Sequence, residues 1–257
     1  MQNSDHSNKI SIITVVFNAE KTIQNTIESV LSQTYKNIEY IIVDGCSTDD
    51  TSKIISTYSD RISKYVCEKD DGIYDAMNKG IRIATGDIVG ILNSDDFYVS
   101  DNILSTVSNA FDSIDIDSVY GDLFYVDQDD TSKIIRRWKS RKYEANLFRS
   151  GWHPAHPTLF IKRKVYLENG LFNLKFKIAA DYELMLRFME KCKISSLYIP
   201  EVFVKMRTGG ASNGSLLNII KANIECVKAW KENGLSVNFM LFAIKPLSKI
   251  KQLFLKG

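Results

Sequence analysis

The sequence predicts an α/β fold with a mostly parallel central sheet flanked by helices and a helical C-terminal extension. Three observations carry this. Short β-branched apolar runs recur through the first hundred residues, the mark of strands buried on both faces. Amphipathic segments alternate with them. The runs end in polar residues, Asn18, Asp44 and the pair Asp95 and Asp96.

Ile10–Phe17 (ISIITVVF) reads as the first strand. A helix follows, with Ile23, Ile27, Val30 and Leu31 on one face. Ile38–Val43 is a second buried strand, ending in Asp44-Gly45-Cys46-Ser47-Thr48-Asp49-Asp50, whose Ser, Thr and Asp suit a helix cap. A third strand is expected at Ser63–Cys67. Ile73–Ala84 reads as a helix with Ile73, Met77, Ile81 and Ala84 inward. Asp87–Leu92 is a fourth strand, ending at Asn93-Ser94-Asp95-Asp96. Further on, Ser118–Val126 and Lys133–Trp138 form a strand pair around Asp127–Asp130. Pro157–Ile161 is another strand, and a strand precedes Arg207. Tyr182–Cys192 and Ser215–Lys231 are helices. With no repeat and no low-complexity linker, one domain over 1–213 and an extension over 214–257 are expected.

The 257 residues are 44% hydrophobic and 25% charged. That excludes a disordered or collagen-like chain. Four widely spread cysteines without a CxxC argue against a disulfide scaffold or zinc ribbon, and for a reducing, cytoplasmic setting. The polar N-terminus is no signal peptide, and no apolar run approaches the roughly 20 residues that span a bilayer. Charge is divided: residues 1–130 hold 9 Lys and Arg against 23 Asp and Glu, and residues 131–257 hold 24 against 8. The acidic half could hold a cation and the basic half face an anion, or the two surfaces could simply attract each other. The basic residues form no recognised nucleic-acid motif.

In open parallel sheets ligands bind beyond the carboxyl ends of the strands. Asn18, Asp44, Asp95 and Asp96 would converge there. Neither a Gly-x-Gly-x-x-Gly turn nor a phosphate-cradling Gly-x4-Gly-Lys loop is present. Adjacent carboxylates behind a buried strand suit a hard divalent cation, although a capped turn has the same sequence. Asp71 and Asp75 could line a donor pocket with Lys79 near phosphate, or be a plain acidic helix start. His156, in GWHPAHP, could touch a diphosphate or an acceptor. Arg207-Thr208-Gly209-Gly210 could be a phosphate-side loop.

The runs SIITVVFNAEKTIQNTIESVLSQTY, IEYIIVDGCSTDDT and DDGIYDAMNKGIRIATGDIVGILNSDDFY resemble family 2 glycosyltransferases of the GT-A (Rossmann-like) fold. HPAHPTLFIKR, AADYELMLRF and KMRTGGASN are similar to the bacterial polysaccharide-assembly branch, so that the likeness covers about residues 9–213. The resemblance implies transfer with inversion from a nucleotide-diphosphate sugar, with Mn²⁺ or Mg²⁺. It implies that Phe17 stacks on the base and Asp44 contacts it, that Asp95 meets the ribose and Asp96 the cation, and that Asp181 is the general base. Cys46 stands where the family often has Gly or Asn, and Ala180 where it often has Glu. Glu183 competes for the base role, and a helix cap is the structural alternative for Asp181. By analogy the donor is a UDP-hexose or UDP-hexosamine, ahead of GDP and dTDP sugars. The acceptor is then a saccharide or lipid-linked saccharide. Lys245, Lys249, Lys251 and Lys256 among apolar residues suit an interfacial helix on anionic lipid at the inner face of the bacterial membrane, or packing on the domain or a second subunit. The competing readings are a sugar-phosphate nucleotidyltransferase, disfavoured by FNAEKT after the first strand; a receiver-type module, which leaves the motifs beyond 150 unexplained; and a non-catalytic sugar-nucleotide binder.

Overall fold

The computed structural model describes residues 8–209 and 216–236. Strands β1 (Ile10–Val16), β2 (Ile38–Asp44), β3 (Lys64–Cys67) and β4 (Ile88–Ile91) pair in parallel in the order β3-β2-β1-β4. Every residue of β1 is buried, because helices cover both faces. Ile10, Ile12 and Val16 point into one core with Ile23 and Ile27 of α1 (Ile23–Leu31) and Leu104 and Val107 of α4 (Ile103–Ser113). Ile13 and Val15 point into the other, with Met77 and Ile81 of α3 (Ile73–Ile83). The period of two is that of a strand, and each fully buried Ile contributes about 2 kcal/mol of apolar burial. Helix α3 lies so close to β1 that a Cβ at Gly80 would collide with Ile13.

Beyond β4 the sheet becomes mixed. Strand β8 (Phe160–Lys162) runs antiparallel between β4 and β6 (Ser118–Val126). Strand β9 (Ser196–Arg207) pairs parallel with β6, and β5 (Asp96–Tyr98) antiparallel with β9. Strand β7 (Ile134–Trp138) forms the expected hairpin with β6. Short helices α2 (Thr51–Ser56) and α5 (Arg163–Asn169) follow β2 and β8. Helices α6 (Ala180–Leu186) and α7 (Leu216–Glu232) cover the α3 face. The expected α/β sheet is present, parallel in its first half and mixed in its second.

Several local expectations need correction. Phe17 lies outside β1 and is 61% exposed. Ile73 is also exposed; it opens α3, and Tyr74 takes the inward place beside Phe172. Residues 156–158 form a 3₁₀ turn rather than a strand, because Pro157 cannot donate to a ladder and β8 starts only at Phe160. After Leu186 the chain widens into a π-turn over Arg187–Lys191. Leu184, Met185, Phe188 and Met189 all point into the core as expected.

Helix α7 packs into the same core rather than standing apart. Trp230 is enclosed and its Nε1 donates to the Tyr182 hydroxyl at 2.9 Å. Among the described residues no helix is long and apolar enough to cross a membrane. Gly210 and the basic tail after residue 236 lie outside the described residues.

Candidate active site

Two clusters of polar residues form at the carboxyl ends of the parallel strands. The first joins β1 to the loop after β2. Asn18, at φ 49°, accepts from the Thr48 amide and donates its own amide to Ser47 Oγ at 2.9 Å. Asp44 is fully buried. Its Oδ1 accepts from the Ser47 amide and hydroxyl, and its Oδ2 from the Ser52 and Tyr65 hydroxyls, all within 2.7–2.9 Å. Asp49 receives the amide of Thr51, the first residue of α2, at 3.1 Å, while Asp50 at the N-cap position makes no side-chain capping bond. Phe17 is exposed beside Gly45, and a Cβ there would lie 3.4 Å from the Phe17 ring and 2.5 Å from the Asp70 carboxylate. Cys46, at φ 64°, has its Sγ 3.6 Å from that of Cys67.

The second cluster contains the acidic pair. Asp96 opens β5 and is wholly buried, yet its Oδ1 has no hydrogen-bond partner; Oδ2 receives only the Asn93 side-chain amide at 3.1 Å. Burial, and then the charge of Asp95, push the Asp96 carboxyl well above the usual carboxylate range. Burial also raises Asp95, against the opposing charges of Arg207 and His156. Arg207 closes β9. Its guanidinium donates to the Asp95 carbonyl at 2.6 Å and to Asn25 Oδ1 at 3.1 Å, over the Phe97 ring. Arg207 is thus committed to holding the acidic loop, not free in a phosphate-side loop.

Asp181 lies in the first turn of α6, where an acidic residue commonly caps the helix. It does not do so here. Its Oδ1 accepts from the Tyr74 hydroxyl at 3.1 Å and its Oδ2 faces His156 Nδ1 at 3.2 Å. The segment ahead of α6 is tied down by another residue, Glu225 of α7, which accepts the amides of Lys177, Ile178 and Ala179 at 2.8–3.0 Å. Asp181 is left 21% exposed, partly open to solvent. Glu183, by contrast, is buried and bonded to Arg187 at 3.0 and 3.1 Å and to Asn233 at 2.9 Å, which removes it as a competing base. Ala180 is buried in the core and leaves the holding of Asp181 to Tyr74 and His156.

The acidic pair and Asp181 share surroundings. Asp96 and Asp181 both raise the Tyr125 phenol, after burial and against the charge of Arg136, and His156 acts on Asp95 while touching Asp181. Lys79 lies apart from this group. Its ammonium is held by the Lys69 carbonyl at 2.6 Å, Glu68 at 3.1 Å and Asp75 at 3.4 Å. Asp71 is exposed, and its amide donates to Asp75. Tyr74 and Glu225 escape sequence reasoning: the first reads as core, the second as a solvated helix charge.

The orphaned Asp96 oxygen in a crowded acidic turn is what a divalent cation would satisfy. No three His, Cys, Asp or Glu side chains cluster among the described residues. An ion here would therefore fill its shell from water and a ligand's phosphates, the habit of Mg²⁺. A pair of carboxylates able to hold a cation, with a third, oriented carboxylate nearby, suits group transfer from a phosphate-bearing donor.

Comparison with known proteins agrees. The model for "Glycosyl transferase family 2" matches residues 11–170. The chain belongs to that family. A Rickettsia typhi glycosyltransferase is 32% identical over 82% of this chain and 67% of its own length. The Escherichia coli UDP-Glc:alpha-D-GlcNAc-diphosphoundecaprenol beta-1,3-glucosyltransferase WfaP is 30% identical over 82% of this chain and 83% of its own length. Among solved structures, residues 1–349 of S. aureus TarS superpose with a TM-score of 0.66 at 17% identity, over 89% of this chain and 67% of that fragment. The Pyrobaculum calidifontis mannosyltransferase PcManGT, in complex with GDP-Man and Mn²⁺, does so with 0.66 at 18% identity, over 98% of this chain and 71% of its own. The fold is thus the GT-A type. This glycosyltransferase extends past the family match into α6, β9 and α7, which carry Asp181, Arg207 and Glu225.

Proposed function

We propose that this glycosyltransferase moves a hexose or hexosamine, with inversion, from a UDP-sugar to a saccharide or lipid-linked saccharide during assembly of a bacterial surface polysaccharide. The observation that carries this reading is the placement of Asp181: a partly open carboxylate, excused from helix capping and held by two side chains at the rim that bears Asp95 and Asp96. The relative WfaP is named for a UDP-Glc donor and a diphosphoundecaprenol-linked acceptor, and TarS structures include UDP and UDP-GlcNAc complexes. Both support the donor class.

Asp181 takes the proton of the acceptor hydroxyl as the acceptor oxygen bonds the anomeric carbon. The bond from that carbon to the diphosphate breaks on the opposite face, and UDP leaves with the electron pair. Mn²⁺ or Mg²⁺, held by Asp95 and Asp96, would offset the charge of the departing diphosphate. Asp95 is the half-exposed member of the pair, so it is the carboxylate a hydrated ion meets first, with Asp96 enclosed behind it. Phe17 supplies an open ring for the base. Asp44 is saturated, so its contact with the base requires Ser47 or Tyr65 to give up a bond. The reaction takes place in the cytoplasm at the inner face of the membrane, where the basic tail would meet anionic lipid.

Calorimetric titration of UDP-, GDP- and dTDP-sugars with and without Mn²⁺ tests the donor site. Metal-dependent binding of a UDP-sugar is expected, and no binding of any of them by folded protein would end the reading. Asp181→Asn should keep that binding and lose about 10²–10⁴-fold in kcat.

A further inference from the structure

We propose that His156 is the positioning residue of the base: its Nδ1–H and the Tyr74 hydroxyl grip the two oxygens of Asp181 and fix the direction in which that carboxylate faces the acceptor. This rests on the reading of Asp181 as the base and adds to it a role for a histidine that sequence analysis places against the diphosphate or acceptor.

The geometry is a two-sided clamp. Tyr74 approaches Oδ1 at 3.1 Å from α3, sharing its one hydroxyl proton between that oxygen and the Ile178 carbonyl at 2.8 Å. His156 approaches Oδ2 at 3.2 Å from the 3₁₀ turn before β8. The two grips come from opposite sides of the chain, 107 residues apart in one case. The supports are themselves rigid. Tyr74 stacks on Phe172 at 5.5 Å between ring centroids, and the turn bearing His156 is pinned by Thr158, whose hydroxyl is bonded to the Ala155 carbonyl at 2.8 Å.

A second observation agrees. His156 and Asp181 together line a small cavity whose other walls are Tyr166 and apolar side chains, among them Met77, Leu159, Phe172 and Met185. The apolar lining shields one side of the pair, whose side chains are 33% and 21% exposed, so a bond to the carboxylate holds its direction better than one in open solvent. An ionised carboxylate only accepts, so a hydrogen bond across this 3.2 Å approach requires the proton on Nδ1. Nε2 is then the ring's acceptor nitrogen when His156 is neutral.

The experiment uses the full chain labelled with ¹⁵N-histidine. The sequence has only three histidines, and His153 is an internal control. In wild type, His156 should show a protonated Nδ1. Asp181→Ala should move that resonance and leave His153 in place. This readout needs no substrate, so it stands whether or not the donor assignment does. In transfer assays, His156→Ala should lose about 10–100-fold in kcat with donor KM unchanged. His156→Asn, whose amide can replace the Nδ1–H, should recover most of that loss. A protonated Nε2 that ignores Asp181→Ala overturns the proposal. So does a raised donor KM with kcat unchanged, which would return His156 to the diphosphate. So does a His156→Asn variant as slow as His156→Ala, which would make the ring itself the base.

Discussion

Asp96 and Asp122 are, with Asp44, the completely buried aspartates among the described residues, and the molecule treats these two in opposite ways. Asp122, in β6, is satisfied: Arg137 meets Oδ2 at 2.7 and 3.2 Å, and the Ser140 amide and the Tyr198 hydroxyl each meet Oδ1 at 2.8 Å. Asp96, at the head of β5, has one amide and an empty oxygen. A buried carboxylate with its own cation and donors is part of the scaffold. One left short of both is a strained charge that a ligand can relieve. The contrast separates a satisfied carboxylate from an unsatisfied one without reference to exposure, which is zero for both.

The contrast can be broken by mutation. Asp122→Ala should have the largest effect on folding, about 2–3 kcal/mol by urea denaturation; Arg137 is 39% exposed and can rehydrate, which keeps the cost below that of a fully trapped partner. Asp96→Asn should leave stability within about 1 kcal/mol, since a neutral amide matches a carboxyl that burial already drives towards its neutral form. It should weaken Mn²⁺-dependent donor binding about 10–100-fold. If Asp96→Asn unfolds the protein as Asp122→Ala does, the distinction fails.

A smaller effect concerns pH without metal. Below about 3.8 both folded and unfolded chains keep the Asp96 proton and it contributes nothing. Above that the unfolded chain releases it while the folded carboxyl, raised by burial, keeps it. Stability should therefore fall as pH rises until the folded group ionises, and Asp96→Asn should lack that decline. Glu39 has the opposite sign. Burial would raise it, but bonds from Ser11, Thr85 and Lys64 outweigh burial and hold it at about 2. Its contribution is complete above 4.5 and lost as pH falls towards 2. Matching pH–stability curves for wild type and Asp96→Asn would remove the strain assigned to Asp96.

What could be read in the sequence follows the same physics. The strands β1, β2 and β4 are legible because burial on both faces writes a continuous apolar run. The three-residue strands β5 and β8 are too short to write any period, and Pro157 hides where β8 begins. Helix α4 does carry a pattern, in Ile103, Leu104, Val107 and Phe111, and α5 is too brief to announce itself. At the site, Asp95, Asp96 and Asp181 stand out through their motifs. The grip of Tyr74 on Asp181 and of Glu225 on the segment before it spans 107 and 46 residues, distances over which local sequence carries no signal.

Arg207 has a consequence for the order of events at the ribosome. The acidic turn at residues 93–96 is made early, but the strand that flanks β5, and the guanidinium that ties the Asp95 carbonyl to Asn25, arrive more than a hundred residues later. Until then two adjacent carboxylates have no β9 to be buried against. The acidic turn is therefore held in place only once β9 has been made, and a nascent or truncated chain that stops before β9 carries the turn without that strand.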